Sequence, residues 1–165
     1  MIASALIAFD PTEHPVTLAA IEAHLRQSLP FVCRPTQWVG HTVTIPQIRV
    51  ETPVPLTIQI DANPEYVPEE LNEWADEAEG SGVLPVALIA LLRRATARLD
   101  IQSAEHAGER HVASDHHVIL VARTDLDPQI PEVRQVLQCL ADLVQGPVLD
   151  CVNDEWLLPH TQGPA

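Results

Sequence analysis

The chain contains no lysine. Its 9 basic residues are all arginine and stand against 23 acids, for a formal charge of -14 and a pI near 4.7. So little positive charge excludes function classes that hold polyanions: neither a nucleic-acid backbone nor an anionic membrane is an expected partner. A basic protein, a basic peptide or a cation is favoured instead. Long apolar runs are also missing. The longest, Val83–Leu92, is about half of what a bilayer span requires. Met1–Phe9 is apolar but has no basic n-region, and Asp10-Pro11 follows at once, so no targeting signal is read. Cysteines are few. Cys33, Cys139 and Cys151 are odd in number and widely spaced, which excludes a disulfide framework and fits reduced thiols in a cytoplasm. Aromatics are scarce too, so the core must be aliphatic. Arginine without lysine also points, by codon usage, to a GC-rich bacterial genome.

What is present suffices for one domain. The 165 residues are 46% apolar, which is ordinary for a globular chain and excludes wholesale disorder. A single domain is expected over residues 1–159, with a loose tail from His160 to Ala165.

The periodicities predict an α+β fold. Ile2–Phe9 reads as a central strand, apolar on both faces. Pro15 at a first helical position predicts a helix running to about Ser28, with Leu18, Ile21, Leu25 and Leu29 on one face. Trp38–Ile45 is a candidate strand. Gln47–Glu51 and Leu56–Ile60 alternate cleanly, with Ile48, Val50, Leu56, Ile58 and Ile60 pointing one way, and Thr52–Pro55 joins them. Pro68–Ala78 predicts an amphipathic helix with the stripe Leu71, Trp74, Ala75 and Ala78, ended by Gly80-Ser81-Gly82. Pro85–Ala95 is almost wholly apolar and is expected to be buried over most of its circumference. In Ala97–Gln102 the residues Arg98, Asp100 and Gln102 are expected to face outward. Glu105–Asp115 reads as a polar connection and His117–Arg123 as a strand. Pro131–Gln145 is the clearest helix, with Gly146 just past its end, and Pro147–Val152 is a last strand. The order β-α-β-β-α-α-β-β-α-β places strands in adjacent pairs. That predicts a mixed, mostly antiparallel sheet with helices packed on it and ferredoxin-like elements at both ends.

Charge is the main functional signal. From Glu51 to Glu79 there are nine carboxylates and no basic residue. Glu69 and Glu70 suit the positive end of a helix dipole, but Asp76, Glu77 and Glu79 lie at its negative end. Glu69–Glu73 and Glu73–Glu77 are like-charge pairs at i, i+4, each costing a few tenths of a kcal/mol. Surplus acid serves solubility, yet so one-sided a helix also suits docking to a cationic partner. Glu69, Glu70, Glu73, Asp76, Glu77 and Glu79 are therefore the candidate partner-binding residues.

The histidine-rich segment offers weaker metal candidates. His106, His111, His116 and His117 fall among Glu105, Glu109 and Asp115, and imidazoles with carboxylates suit transition metals. The chelating i, i+4 pair of a helical site is absent, and no C-x-x-C completes one. Asp115-His116-His117 has the three letters of the DHH phosphoesterases, but its apolar strand follows rather than precedes the signature, so the resemblance is rejected. Asp61-Ala62-Asn63-Pro64-Glu65 starts like a calcium loop. Tyr66 then stands where glycine is needed and Asn72 where the bidentate glutamate belongs, which excludes an EF-hand. Gly80-Ser81-Gly82 has no lysine to hold phosphate, and no G-x-S-x-G surrounds any serine.

No catalytic residue, metal or cofactor is therefore expected. The expected function is a non-catalytic acidic protein that binds a basic protein partner, of the bacterial immunity or antitoxin type. The alternatives are a secretion-type chaperone and a metal-binding protein or hydrolase using His106–His117. A homodimer is compatible with this reading.

Overall fold

A computed structural model describes residues 4–104, 113–114, 117–118, 126–151 and 155–160. The elements run β1 Ser4–Phe9, α1 Leu18–Ser28, β2 Cys33–Val39, β3 Thr44–Val50, β4 Leu56–Asp61, α2 Val67–Ser81, α3 Val86–Arg94 and β5 Ala97–Ser103. After the short pair β6 Ala113–Ser114 and β7 His117–Val118 come α4 Pro131–Val144, β8 Val148–Asp150 and β9 Glu155–Leu157. Seven strands form one sheet in the order β2-β3-β4-β5-β1-β8-β9, and every described pairing is antiparallel. The α+β class holds, with helices packed on the sheet.

Within that sheet, β8-β1-β5-β4 has the strand order of a split β-α-β unit, and α1 and α4 share one hydrophobic core on a single face of it. The ferredoxin-like elements are thus the centre of the fold. β2 and β3 extend one edge and β9 the other. The α2-α3 pair is inserted between β4 and β5, and its own core includes Ala8 from the opposite face of the sheet. The result is three layers, with helices on both faces.

The alternation read in β3 and β4 matches their register, since Ile48 lies opposite Ile58 and Val50 opposite Leu56. These four side chains are buried in the core with Ile21 and Leu25 of α1. On α4, Val133, Val136, Leu137, Leu140 and Val144 are all buried, as its periodicity predicts.

Several expectations are corrected. α1 begins at Leu18, because the Thr17 hydroxyl caps it by accepting from the Ala20 N–H at 3.1 Å, so Pro15 lies outside the helix. The strand placed at Trp38–Ile45 is really the junction of two strands, where the Gly40 N–H donates to the Val43 carbonyl at 2.8 Å. α3 is not buried around its circumference. Leu88, Leu91 and Leu92 face inward, but Val86 is 83% exposed and Ala87 and Ala90 are exposed as well. Nothing lies over α2 and α3 on that side among the described residues. The left-handed residue ending α4 is Gln145, at φ 53°, rather than Gly146. Gly146 serves close approach instead, because a Cβ there would stand 1.9 Å from the Ala8 carbonyl oxygen. His160, read as the start of the tail, is tied to α4: its N–H donates to Asp142 at 2.7 Å, and its Nδ1 lies 3.0 Å from the same carboxylate.

Candidate functional site

α2 is the most acidic element, and its burial pattern decides where the acid goes. Val67, Leu71, Ala75 and Ala78 are buried against α3 and the sheet, which leaves the carboxylates on the remaining arc. Pro68 sits in the first turn, and Gly82, at φ 70°, closes the helix by donating to the Ala78 carbonyl at 2.9 Å. Gly80 and Ser81 still belong to the helix, so only the last glycine of that trio terminates it.

The six candidate carboxylates separate into two groups. Asp76 and Glu79 both pair with Arg93 of α3, at 2.9 and 2.5 Å. Glu70 turns toward the sheet and pairs with Arg98. Those three have internal partners. Glu69, Glu73 and Glu77 form an exposed row at i, i+4 and i+8 with no ion pair among the described residues. Their mutual repulsion is uncompensated along that row.

Under α2 lies a buried charge cluster. The Arg98 side chain is only 12% exposed and pairs with Asp61 at 3.5 Å, with Asp100 at 3.0 Å and with Glu70. The Tyr66 ring lies 5.7 Å from its guanidinium carbon, and the phenol donates to Asp61. That hydrogen bond first, then burial, pushes the phenol up to about 12. Burial pushes the Asp100 carboxyl up to about 6; Arg98 opposes the rise, and Asp61 and Glu70 reinforce it. Arg98 and Asp100 were expected to face water. They do not, because β5 is an inner strand whose second face lies beneath the inserted helices. The Asp61 and Asn63 oxygens also accept backbone N–H groups two residues on, at 3.1 and 2.9 Å, so this loop is turned in on itself.

A groove of about 640 Å³ opens between α2 and the β8-β9 edge. Trp74 of α2 and Trp156 of β9 line it and meet edge to face, with ring centroids 6.4 Å apart and planes at 72°. Glu73, Glu77 and Glu155 border it, and among the described residues no basic one does. The Ser81 hydroxyl, also in its wall, is engaged as a donor to the Ala78 carbonyl at 3.2 Å. An aromatic floor under carboxylates suits an organic cation: the ring faces attract positive charge, and the carboxylates accept its N–H groups.

The sequence reading placed Trp74 on the apolar stripe of α2 but missed Trp156 and Glu155. β9 is three residues long, too short for periodicity to mark. The short apolar run Trp156-Leu157-Leu158 before Pro159 was its only trace. His106, His111 and His116 lie outside the described residues. Of His117 only the backbone is described, paired with Ser114. Among the described residues no group of three or more His, Cys, Asp or Glu is arranged to hold a metal ion, and no helix is long and apolar enough to cross a membrane. No protein-family model, curated protein or solved structure matches the chain.

Proposed function

We propose that this chain is a non-catalytic binding protein whose α2 face docks a basic protein, in the manner of an immunity protein or antitoxin that covers a cationic site. The exposed row Glu69, Glu73 and Glu77, unpaired among the described residues, carries this reading. The helix dipole accounts for Glu69, in the first turn, but neither the dipole nor internal pairing has a use for Glu73 and Glu77, and the repulsion along the row is relieved by a cationic partner. The net charge of -14 acts in the same direction, by steering basic proteins to the surface over a Debye length of about 10 Å at moderate salt. The three free thiols support a reducing compartment, and the cytoplasm is the proposed location.

The test compares the wild-type chain with Glu69→Lys/Glu73→Lys/Glu77→Lys as baits in the source lysate at low salt. Circular dichroism first checks that the triple variant keeps its fold. The wild type should retain a protein of pI above about 9, released by rising salt, that the variant does not retain. The partner, once purified, should lose its own activity on binding. Two baits that retain the same proteins, independently of salt, would refute the reading.

A further inference from the structure

The groove beside α2 is more specific than a charged surface needs to be. A solvated acidic face attracts any cation at long range, but it does not require two indoles. Trp74 and Trp156 come from distant parts of the chain and meet at nearly a right angle, forming two walls of one cavity. In an edge-to-face pair at least one face of each ring stays clear of the other ring. Glu73 and Glu77, one helical turn apart, rim the same cavity and are the two C-terminal members of the unpaired row. Arg93 of α3 is engaged by Asp76 and Glu79 and does not line the groove. We infer that this groove receives an arginine side chain from the basic partner; this rests on the reading that the partner is a basic protein.

Arginine fits better than lysine for a geometric reason. Its guanidinium is planar, is weakly hydrated and stacks on an indole, while its fork of N–H groups can satisfy two carboxylates at once. Lysine presents a compact, strongly hydrated charge that gains less from an aromatic wall. Trp74 and Trp156 thus act as specificity-determining residues, and Glu73 and Glu77 as the charge-pairing ones.

The chain has three tryptophans, so its ¹⁵N–¹H spectrum has three indole signals. Trp38 lies on the edge strand β2, away from the groove, and is an internal control. The probes are an arginine–glycine peptide, its lysine counterpart and its neutral citrulline counterpart, titrated into the full chain. The arginine peptide should shift the Trp74 and Trp156 signals and leave Trp38 unmoved. Lysine should bind more weakly, and citrulline should do nothing. Trp156→Ala should weaken arginine binding by about three- to thirty-fold and erase the preference over lysine. Should that variant fail to fold, Glu73→Gln/Glu77→Gln, at exposed positions, should weaken binding more than Glu69→Gln, which lies outside the groove. Salt-dependent binding of both basic peptides with equal affinity and unmoved groove signals would overturn the inference while leaving a basic partner in place. Failure of the arginine peptide to bind would also overturn it, and the charge-reversal test would then decide the broader reading by itself.

Discussion

Asp100 offers the sharpest handle on how the inserted helices are held to the sheet. Its carboxyl is buried beside Arg98 and is raised from 3.8 to about 6, chiefly by burial. In the unfolded chain it titrates near the ordinary value, about 3.9. Between those two values the folded protein holds the proton and the unfolded chain does not, so this group makes stability fall as pH rises through the window. Below about pH 3 the carboxyl is neutral in both states and its burial is cheap; above about pH 7 the penalty for burying its charge is complete. At about 1.4 kcal/mol per pH unit, the window is worth about 3 kcal/mol. Asp100→Asn keeps the shape and removes the titration. Any contact with Arg98 that the amide fails to make offsets the variant's curve by a constant. Urea unfolding of both chains in steps from about pH 3.5 to about pH 7.5 therefore isolates the effect, because the remaining titrating groups are common to both. The stability of Asp100→Asn relative to wild type should climb by about 2–3 kcal/mol across the series. A flat difference would refute a burial-raised carboxyl. A falling difference would mean that Arg98 outweighs burial and holds the group ionised.

Three further substitutions test the core and the backbone. Leu140 is completely buried on α4, so Leu140→Ala should cost about 2–5 kcal/mol in denaturant unfolding. A cost below about 1 kcal/mol would mean that the inner face of α4 is wrongly placed. Gly146→Ala would force a methyl group to within 1.9 Å of the Ala8 carbonyl oxygen, against backbone that cannot yield without disturbing β1. It should destabilise by about 2 kcal/mol or more. Gly80→Ala meets nothing within 4 Å on α2 and should stabilise by about 0.5–1 kcal/mol. Similar effects of the two alanines would contradict the close approach of Gly146 to β1.

The sequence by itself determined whatever backbone periodicity imprints locally. Side chains alternate every residue along a strand, so Ile48 and Val50 had to share a face of β3, and Leu56 and Ile58 a face of β4, and the register then sets the two pairs opposite each other. A 3.6-residue repeat likewise marked the inner face of α4 and the stripe that turns the acids of α2 outward. Adjacent strands with short connections already implied antiparallel pairing. Only the tertiary structure decided what lies across from each face. Arg98 and Asp100 read as solvent-facing because one face of β5 is polar, but the α2-α3 insertion covers that face and a cluster of three carboxylates around Arg98 fills it. The apolar run of α3 read as buried all round, yet among the described residues only one side of it meets a partner. Asp76 and Glu79 became internal ion-pair partners, and Glu69, Glu73 and Glu77 did not, because Arg93 comes from a different helix. The Trp74–Trp156 groove is the extreme case, since one wall comes from a three-residue strand near the end of the described chain. Local patterns reflect the geometry of one segment's backbone, whereas a site assembled from distant segments depends on how the layers pack, and packing leaves no mark on either segment alone.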